Sequence, residues 1–361
     1  MPGRLTQRWV AMAAAGVLCG AEAAAQAPTH TPRTAAPLFQ SDDVINLRIE
    51  GPLSDVFRER SQDPESFPAT LRYRAPDGTE SPFDIELRTR GFYRLDPSTC
   101  SFPPLRVNFR KSAVEGTIFA GQDKVKLVTH CQNNQAEFQQ YVLEEYLIYR
   151  AFNLLTDLSY RVRLAQITYV DTGSRRDPVT RYAFLLEDKD AMAARNGWEV
   201  LEVPQVVPDQ MLQAPLALVE VFEYMIGNTD WDAFHPEPND PCCHNITLVG
   251  ELETLTVMPV PYDFDWSGLI HARYAKPNPQ LRLRSVRERL YRGICHPPDL
   301  LEGALQPFRD QREAIYELFR AQPALDRGRM EDTIEYLDEF YEVIGDPARV
   351  ERELVGKCRE G

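Results

Sequence analysis

Apolar and polar residues alternate one by one through several short runs in the first third of the chain. Val44 to Ile49, Ala69 to Tyr73, Phe83 to Arg88, Leu105 to Phe109 and Val125 to Thr129 each read as a strand with one buried face. Pro76-Asp77-Gly78 lies between the second and third runs. Proline fixes φ there and glycine accepts a positive φ, which predicts a turn. Residues 53 to 60 offer one short helix. The period then lengthens. Phe138, Tyr141, Val142, Tyr146 and Phe152 recur at helical spacing and predict a long helix over 136–156. Two strands, 162–170 and 180–187, follow as a hairpin around the polar tip Gly173 to Pro178. A short helix after Glu187 and a longer one over 209–227 lead to two more strands, about 245–249 and 255–261. From residue 282 onward the pattern reads as helical, punctuated by Pro297-Pro298, Pro307, Pro323 and Pro347. Glu331 to Val343 is its most amphipathic stretch, and no internal repeat is visible.

The start of the chain reads differently. Arg4 and Arg8 precede a short apolar run, Trp9 to Gly20, and Ala23-Ala24-Ala25 offers a small-residue cleavage site. This predicts a signal peptide over residues 1–25 and a Pro/Thr-rich linker over 26–40. A lipid-anchored reading centred on Cys19 is weakened by Leu18, which stands where a small residue is expected. No later run reaches the ~18 apolar residues of a membrane-crossing helix, so no integral membrane segment is expected. The remainder divides into a β-rich lobe with one long helix, 41–187, and a helical lobe, 188–361. A formal charge of −14 argues against nucleic acid, whose phosphates require a basic surface. Of seven cysteines, six survive removal of the signal, an even number that favours disulfides in an exported protein. Cys100–Cys131 is the expected pair in the first half. Cys242, Cys243, Cys295 and Cys358 would pair among themselves, with a bridge from the Cys242-Cys243 segment to Cys295 or Cys358. Zinc on Cys242-Cys243-His244 is disfavoured, because adjacent cysteines rarely face one tetrahedral ion. Periplasmic or secreted localisation follows.

Candidate chemistry is concentrated in two acidic segments, Gly227-Asn228-Thr229-Asp230-Trp231 and Pro261-Tyr262-Asp263-Phe264-Asp265-Trp266, with Asn245 opening a strand between them. An acid, then an Asn, then an Asp-Phe-Asp is an order that metal-assisted phosphoryl transfer can use. Asp230 would orient an acceptor hydroxyl and take its proton. Asn245 with Asp265 or Asp263 would hold the ion. In an alternating strand Asp263 and Asp265 share one side, and a dication would relieve their repulsion. The plainer alternative makes one acid solvated and the other a turn cap. A basic partner for phosphates should lie on a first-lobe strand, with Lys126 or Arg106 in that place and Glu144 or Glu145 as its counter-charge. His235 and His244 read as loop residues near the site. No Gly-x-Ser-x-Gly elbow supports a hydrolase.

This order resembles the spore-coat-protein-H-like (CotH) kinase family, with weaker similarity to HipA-like and secretory-pathway kinases. The resemblance rests on Asn228-Thr229-Asp230-Trp231, Asn245, Tyr262-Asp263-Phe264-Asp265, Arg88-Thr89-Arg90-Gly91 ahead of Leu105 to Phe109, and Phe184-Leu185-Leu186-Glu187. It spans roughly residues 84–268. It implies a two-lobed α+β protein-kinase-like fold, with a β-rich N-terminal lobe and a mainly helical C-terminal lobe. It also implies ATP with Mg²⁺ (or Mn²⁺), Glu187 in a nucleotide-facing hinge, and transfer to a hydroxyl of a protein or small molecule. Two departures stand out. Asp230 and Asn245 are 15 positions apart, which makes Asp232 a rival for Asp230. The segment Arg90 to Arg94 holds one glycine where a phosphate loop would have several. A non-catalytic pseudokinase-like binding or scaffold protein of the cell envelope, and a nucleotidyl transferase, are the alternatives.

Overall fold

The computed structural model describes residues 33–236, 242–251, 253–254 and 256–360. The expected signal peptide and the first part of the linker lie outside the described residues. The early alternating runs become β1 (Ile45–Gly51), β2 (Phe67–Arg74), β3 (Glu80–Thr89), β4 (Leu105–Phe109) and β5 (Lys124–Val128), and the hairpin becomes β6 (Val162–Asp171) and β7 (Val179–Leu186). They close into a barrel in the order β1-β2-β3-β4-β5-β7-β6. All neighbours are antiparallel except β1 and β6, which run parallel from Ile45↔Ala165 to Gly51↔Asp171. That pairing removes the open edge an ordinary sheet would leave.

Period-2 alternation sends Leu47, Ile49, Leu71, Ile85, Leu87, Leu105, Val107, Val125, Leu127, Ile167, Ala183 and Leu185 into the barrel interior. The outer face changes character around the wall. On β7 and β6 it is apolar, and Phe184, Leu186, Val162 and Leu164 join a second hydrophobic cluster. On β3, β4 and β5 it carries Arg88, Arg106 and Lys126.

The long helix α2 (Glu137–Leu155) packs on β7 and on α6 (Arg312–Arg320), and its buried face belongs to the second cluster. That cluster also takes in α4 (Gln213–Ile226), β9 (Ile246–Glu251) and β10 (Thr256–Pro261). A two-residue β8 (Glu199–Val200) completes a three-stranded sheet, β10-β9-β8. The short α1 (Leu53–Val56) and α3 (Lys189–Arg195) flank the barrel strands in sequence. α5 (Pro298–Asp310), α6, α7 (Arg327–Ile344) and α8 (Pro347–Glu353) finish the chain.

The expected two-lobed kinase-like architecture, with its mainly helical second lobe, is therefore not the one found. The first strands form a closed seven-stranded barrel instead of an open β-rich lobe. Local alternation predicts each strand but says nothing of the β1–β6 pairing that closes the ring. The second half carries its own sheet. Residues 282–297 hold no helix, because Pro297 and Pro298 place the first turn of α5 only at 298.

Three disulfides are present, Cys100–Cys131, Cys295–Cys358 and Cys242–Cys243. The first is the expected pair, and the other four do pair among themselves. The expected bridge from the Cys242-Cys243 segment to Cys295 or Cys358 is corrected, because the adjacent cysteines bond to each other. Disulfides suit an exported protein. Among the described residues no helix is long and apolar enough to cross a membrane.

Candidate functional site

α4 ends where Gly227 takes a left-handed conformation at φ 65°, and a Cβ there would run into the Tyr336 hydroxyl. The chain then turns sharply. Asn228 Oδ1 accepts from the Asp230 N–H at 3.0 Å, and Trp231 Nε1 donates to the Asn228 carbonyl at 3.2 Å. These bonds present the Asp230 carboxylate at the head of the turn. Asn245, 15 positions later, returns to it: its Nδ2 donates to the Asp230 carbonyl at 2.7 Å and to Oδ2 at 3.2 Å. His244 Nε2 lies 3.1 Å from Asp230 Oδ1. The long spacing therefore separates nothing. Of the insertion from Phe234 to Cys243, residues 237–241 lie outside the described residues. Asp232, the rival acid, is occupied by turn bonds from the Phe234 and His235 N–H groups at 2.8 and 2.9 Å, with Arg292 3.7 Å away. Its pKa sits below the ordinary value, since these bonds and Arg292 outweigh burial.

The second acidic segment enters through β10. The Tyr262 N–H donates to the Asn245 carbonyl at 3.0 Å, which aligns the two segments. β10 ends at Pro261, and Asp263 takes a positive φ of 63°. The expectation that Asp263 and Asp265 share a strand face is corrected accordingly. They converge for another reason: Arg94 lies between them, 3.5 Å from Asp263 Oδ1 and 3.4 Å from Asp265 Oδ2. Burial opposes the charge on Arg94, yet Asp265 above all holds its pKa above the ordinary value. The two acids differ in access. The Asp263 side chain is 37% exposed and that of Asp265 only 7%. Tyr274 Oη donates to Asp265 Oδ2 at 2.9 Å, and burial pushes Asp265 up to about 6 against the pull of Arg94. The Asp263 N–H donates to Tyr149 Oη at 2.9 Å, while Phe264 packs its ring on Tyr149 and Phe222. Asp263 is thus the acid open to a ligand, and Asp265 anchors Arg94.

Nearby lies a row of cations, of which Arg90 and Lys126 feel the charge of Asp263. Arg88 on β3 pairs across strands with Arg106 on β4, and Arg106 with Lys126 on β5. Like charges directly opposite destabilise a sheet. Arg90 adds a fourth charge. Burial lowers the Arg90 pKa, while Asp263 opposes that shift. Burial also pushes Lys126 down to about 8, with Arg90 adding to the shift and Asp263 resisting it. Lys126 Nζ sits 5.1 Å from the centre of the Tyr262 ring. Arg106 is lowered by burial, then by Arg88 and Arg90. Among the described residues none of these four cations makes an ion pair with a carboxylate.

The counter-charges expected for them are placed elsewhere. Glu144 pairs with Arg329 and accepts from Thr333 Oγ1 at 3.2 Å. Glu145 is buried on α2; burial raises its pKa, Arg94 opposes that rise, and neither Lys126 nor Arg106 is within ion-pair distance. Glu187 is held by Arg195 through two bonds of 3.0 Å and by the Arg161 N–H at 2.9 Å. Its carboxylate is thus held within the protein by Arg195 and the Arg161 N–H.

Arg90, Arg94, Tyr149, Tyr274 and Glu223 were not legible as site residues. Arg90 and Arg94 flank the single Gly91, and two arginines in place of glycines are the signal that could have marked the segment. Tyr93, between them, stacks edge-on against Trp266 at 5.0 Å and donates to the Tyr274 carbonyl at 3.3 Å, docking the segment over the acids. Glu223, one turn before Gly227, is buried, which pushes its carboxyl up to about 8 with Asp230 adding to the rise.

Among the described residues no three of His, Cys, Asp and Glu form a cage for a metal ion. Magnesium does not require one, since it is commonly held by one or two carboxylates and the phosphates of its ligand. Asp263 and Asn245 would be the candidates for that smaller donor set. A cavity of about 710 Å³ lies apart from the site against Phe152, Trp198, Leu218, Met258 and Pro307 and includes none of these residues. No protein-family model matches the chain, and no curated protein matches it.

Proposed function

We propose that the protein binds ATP with Mg²⁺ and transfers a phosphoryl group to a hydroxyl of a protein or small molecule. One observation carries the reading. Arg88, Arg106, Lys126 and Arg90 form a cation cluster that, among the described residues, makes no carboxylate ion pair; Lys126 and Arg90 feel the charge of Asp263, and Asn245 joins Asp230 beside it. Unmatched cations beside an accessible acid suit phosphate oxygens and their counter-ion. The resemblance to the CotH-like family points to the same chemistry.

In this reading Lys126 and Arg106 bind the phosphate oxygens, and Arg90 adds charge from beneath. Asp263 and Asn245 hold the ion, which when bound offsets the charge of the transferring group. Asp230 orients the acceptor hydroxyl and takes its proton on Oδ2, while His244 and Asn245 fix the carboxylate. Calorimetric titration of the mature protein with ATP, with and without Mg²⁺, tests this. Binding that is strengthened by Mg²⁺, weakened in Lys126→Met, and stripped of its Mg²⁺ dependence in Asp263→Asn is expected. Absence of any nucleotide binding overturns the reading.

A second reading, binding without transfer, is favoured by Arg94. Its guanidinium already lies between the two acids, where it competes with an ion at Asp263. Magnesium-dependent binding without ATP turnover against any hydroxyl acceptor would select it.

A further inference from the structure

A second cluster of cations lies at one end of the barrel, in a cavity of about 580 Å³. It is walled by α1, by the turn between β6 and β7, and by the segment from Pro97 to Ser101. Arg58, Arg60, Arg175 and Arg176 all line it. On a chain whose formal charge is −14, four guanidinium groups around one hollow run against the overall balance.

Their partners do not cancel them. Arg58 and Arg175 share a single carboxylate, that of Asp55, at 2.8 and 2.5 Å. Asp171 is occupied by the Ser54 N–H and hydroxyl at 3.1 and 2.8 Å and by the Arg175 N–H at 3.0 Å. Arg60 is half-buried and binds only carbonyl oxygens, those of Phe57, Leu95, Cys100 and Ser101. Burial lowers its pKa and the charge of Arg176 lowers it further, while Asp96 opposes that shift. Arg176 lies over the Phe57 ring at 5.1 Å and, among the described residues, pairs with no carboxylate. Four cations meet one shared ion-pair partner, Asp55, while Asp96 and Asp171 act from nearby with their oxygens engaged by other donors, which leaves a net positive charge in a concave site.

We propose that this cavity binds a tetrahedral oxyanion of the phosphate or sulfate type, carried as an ester by a small molecule. Guanidinium forks match such oxygens two at a time. The cavity exceeds a bare oxyanion, which leaves room for the group that bears it. The site is separate from the Asp230–Asp263 centre. It shares one wall with the segment that carries Arg94, because Arg60 Nη1 holds the Leu95 carbonyl at 2.9 Å.

The test titrates the mature protein with inorganic phosphate, inorganic sulfate and acetate at constant ionic strength. Saturable binding of phosphate or sulfate, and none of acetate, is expected. The Arg58→Ala/Arg176→Ala double variant should weaken it at least about tenfold. The part of the binding that the double variant weakens should persist in Lys126→Met, at the other centre. Both substituted arginines are exposed, and Arg176→Ala alone, which frees only the Phe57 ring, serves as the milder variant. Tighter phosphate than sulfate identifies a phosphate ester, and the reverse a sulfate ester. Absence of saturable binding of either oxyanion overturns the proposal. So does binding that the double variant leaves intact, or that Lys126→Met removes.

Discussion

Buried charge is handled in two opposite ways in this molecule. Three deep carboxylates are closed by partners. Glu187 has Arg195 and the Arg161 N–H, Glu144 has Arg329 and Thr333, and Glu220 accepts from the Ile294 N–H at 3.0 Å and Tyr291 Oη at 3.2 Å, with His296 Nε2 2.7 Å away. On the outer wall of β3, β4 and β5 the cations Arg88, Arg106 and Lys126 stand in register with only one another. Closed pairs hold the fold. An open row costs stability, and a ligand with negative charge is what would return it.

The largest effect should come from opening a closed pair. Glu187→Gln leaves Arg195 buried with carbonyl oxygens but no counter-charge. A loss of about 3–5 kcal/mol is expected in urea unfolding. A loss under about 1 kcal/mol would show that the pair contributes no more than a solvent-exposed one.

Glu223 tests a carboxyl that belongs to neither class. Burial raises its pKa from 4.5 to about 8, so the folded state favours the neutral acid. The sign follows from proton linkage. Between those two values the folded chain holds more protons than the unfolded one, so stability falls as pH rises. The contribution is fully present below pH 4.5 and gone once pH has passed through 8. Glu223→Gln should flatten this slope and be the more stable protein near pH 8, by about 2–4 kcal/mol. Equal slopes in both proteins would place the carboxyl's titration elsewhere.

Next in size is the pH dependence of nucleotide binding. Lys126 falls to about 8, mainly through burial. Phosphate binding needs the ammonium form, so affinity should hold to pH 8 and then drop by about tenfold per pH unit above it. In Lys126→Met the same titration should be flat between pH 7 and pH 9. A drop that survives the substitution assigns the effect to another group.

The strands were readable from sequence because a barrel interior is apolar and its outside is not, which turns burial into strict alternation. Closure was not readable, because the β1–β6 pair joins Ile45 to Ala165 across more than a hundred positions and leaves no local mark. Residues 282–297 read as helix because their composition is helix-like, while Pro297 delays the first turn. In the site, Asp230, Asn245 and Asp263 stood out through their order along the chain, and folding brings them together. Arg90 and Arg94 did not, since an arginine carries no spacing signature and its role depends on which acid it meets. Glu187 looked like the polar end of a strand. Its use is set by Arg195, which lies on the next helix and comes back through the turn that Asp188 caps.

The smallest expected effect separates the two kinds of buried charge most sharply, because its sign reverses. Lys126→Met removes an ammonium that burial disfavours and that has no carboxylate within ion-pair distance. Methionine fills nearly the same volume on the outer face of β5 and relieves the repulsion from Arg106 and Arg90. The lost contact with the Tyr262 ring, 5.1 Å from Nζ, takes back part of the gain. Stability in ligand-free protein should therefore stay level or rise, by up to about 1 kcal/mol. Opening a closed pair at Glu187 must lower it. If Lys126→Met costs as much as Glu187→Gln, the row on β3–β5 is a structural element with partners of its own, and its availability to phosphate is lost as an explanation.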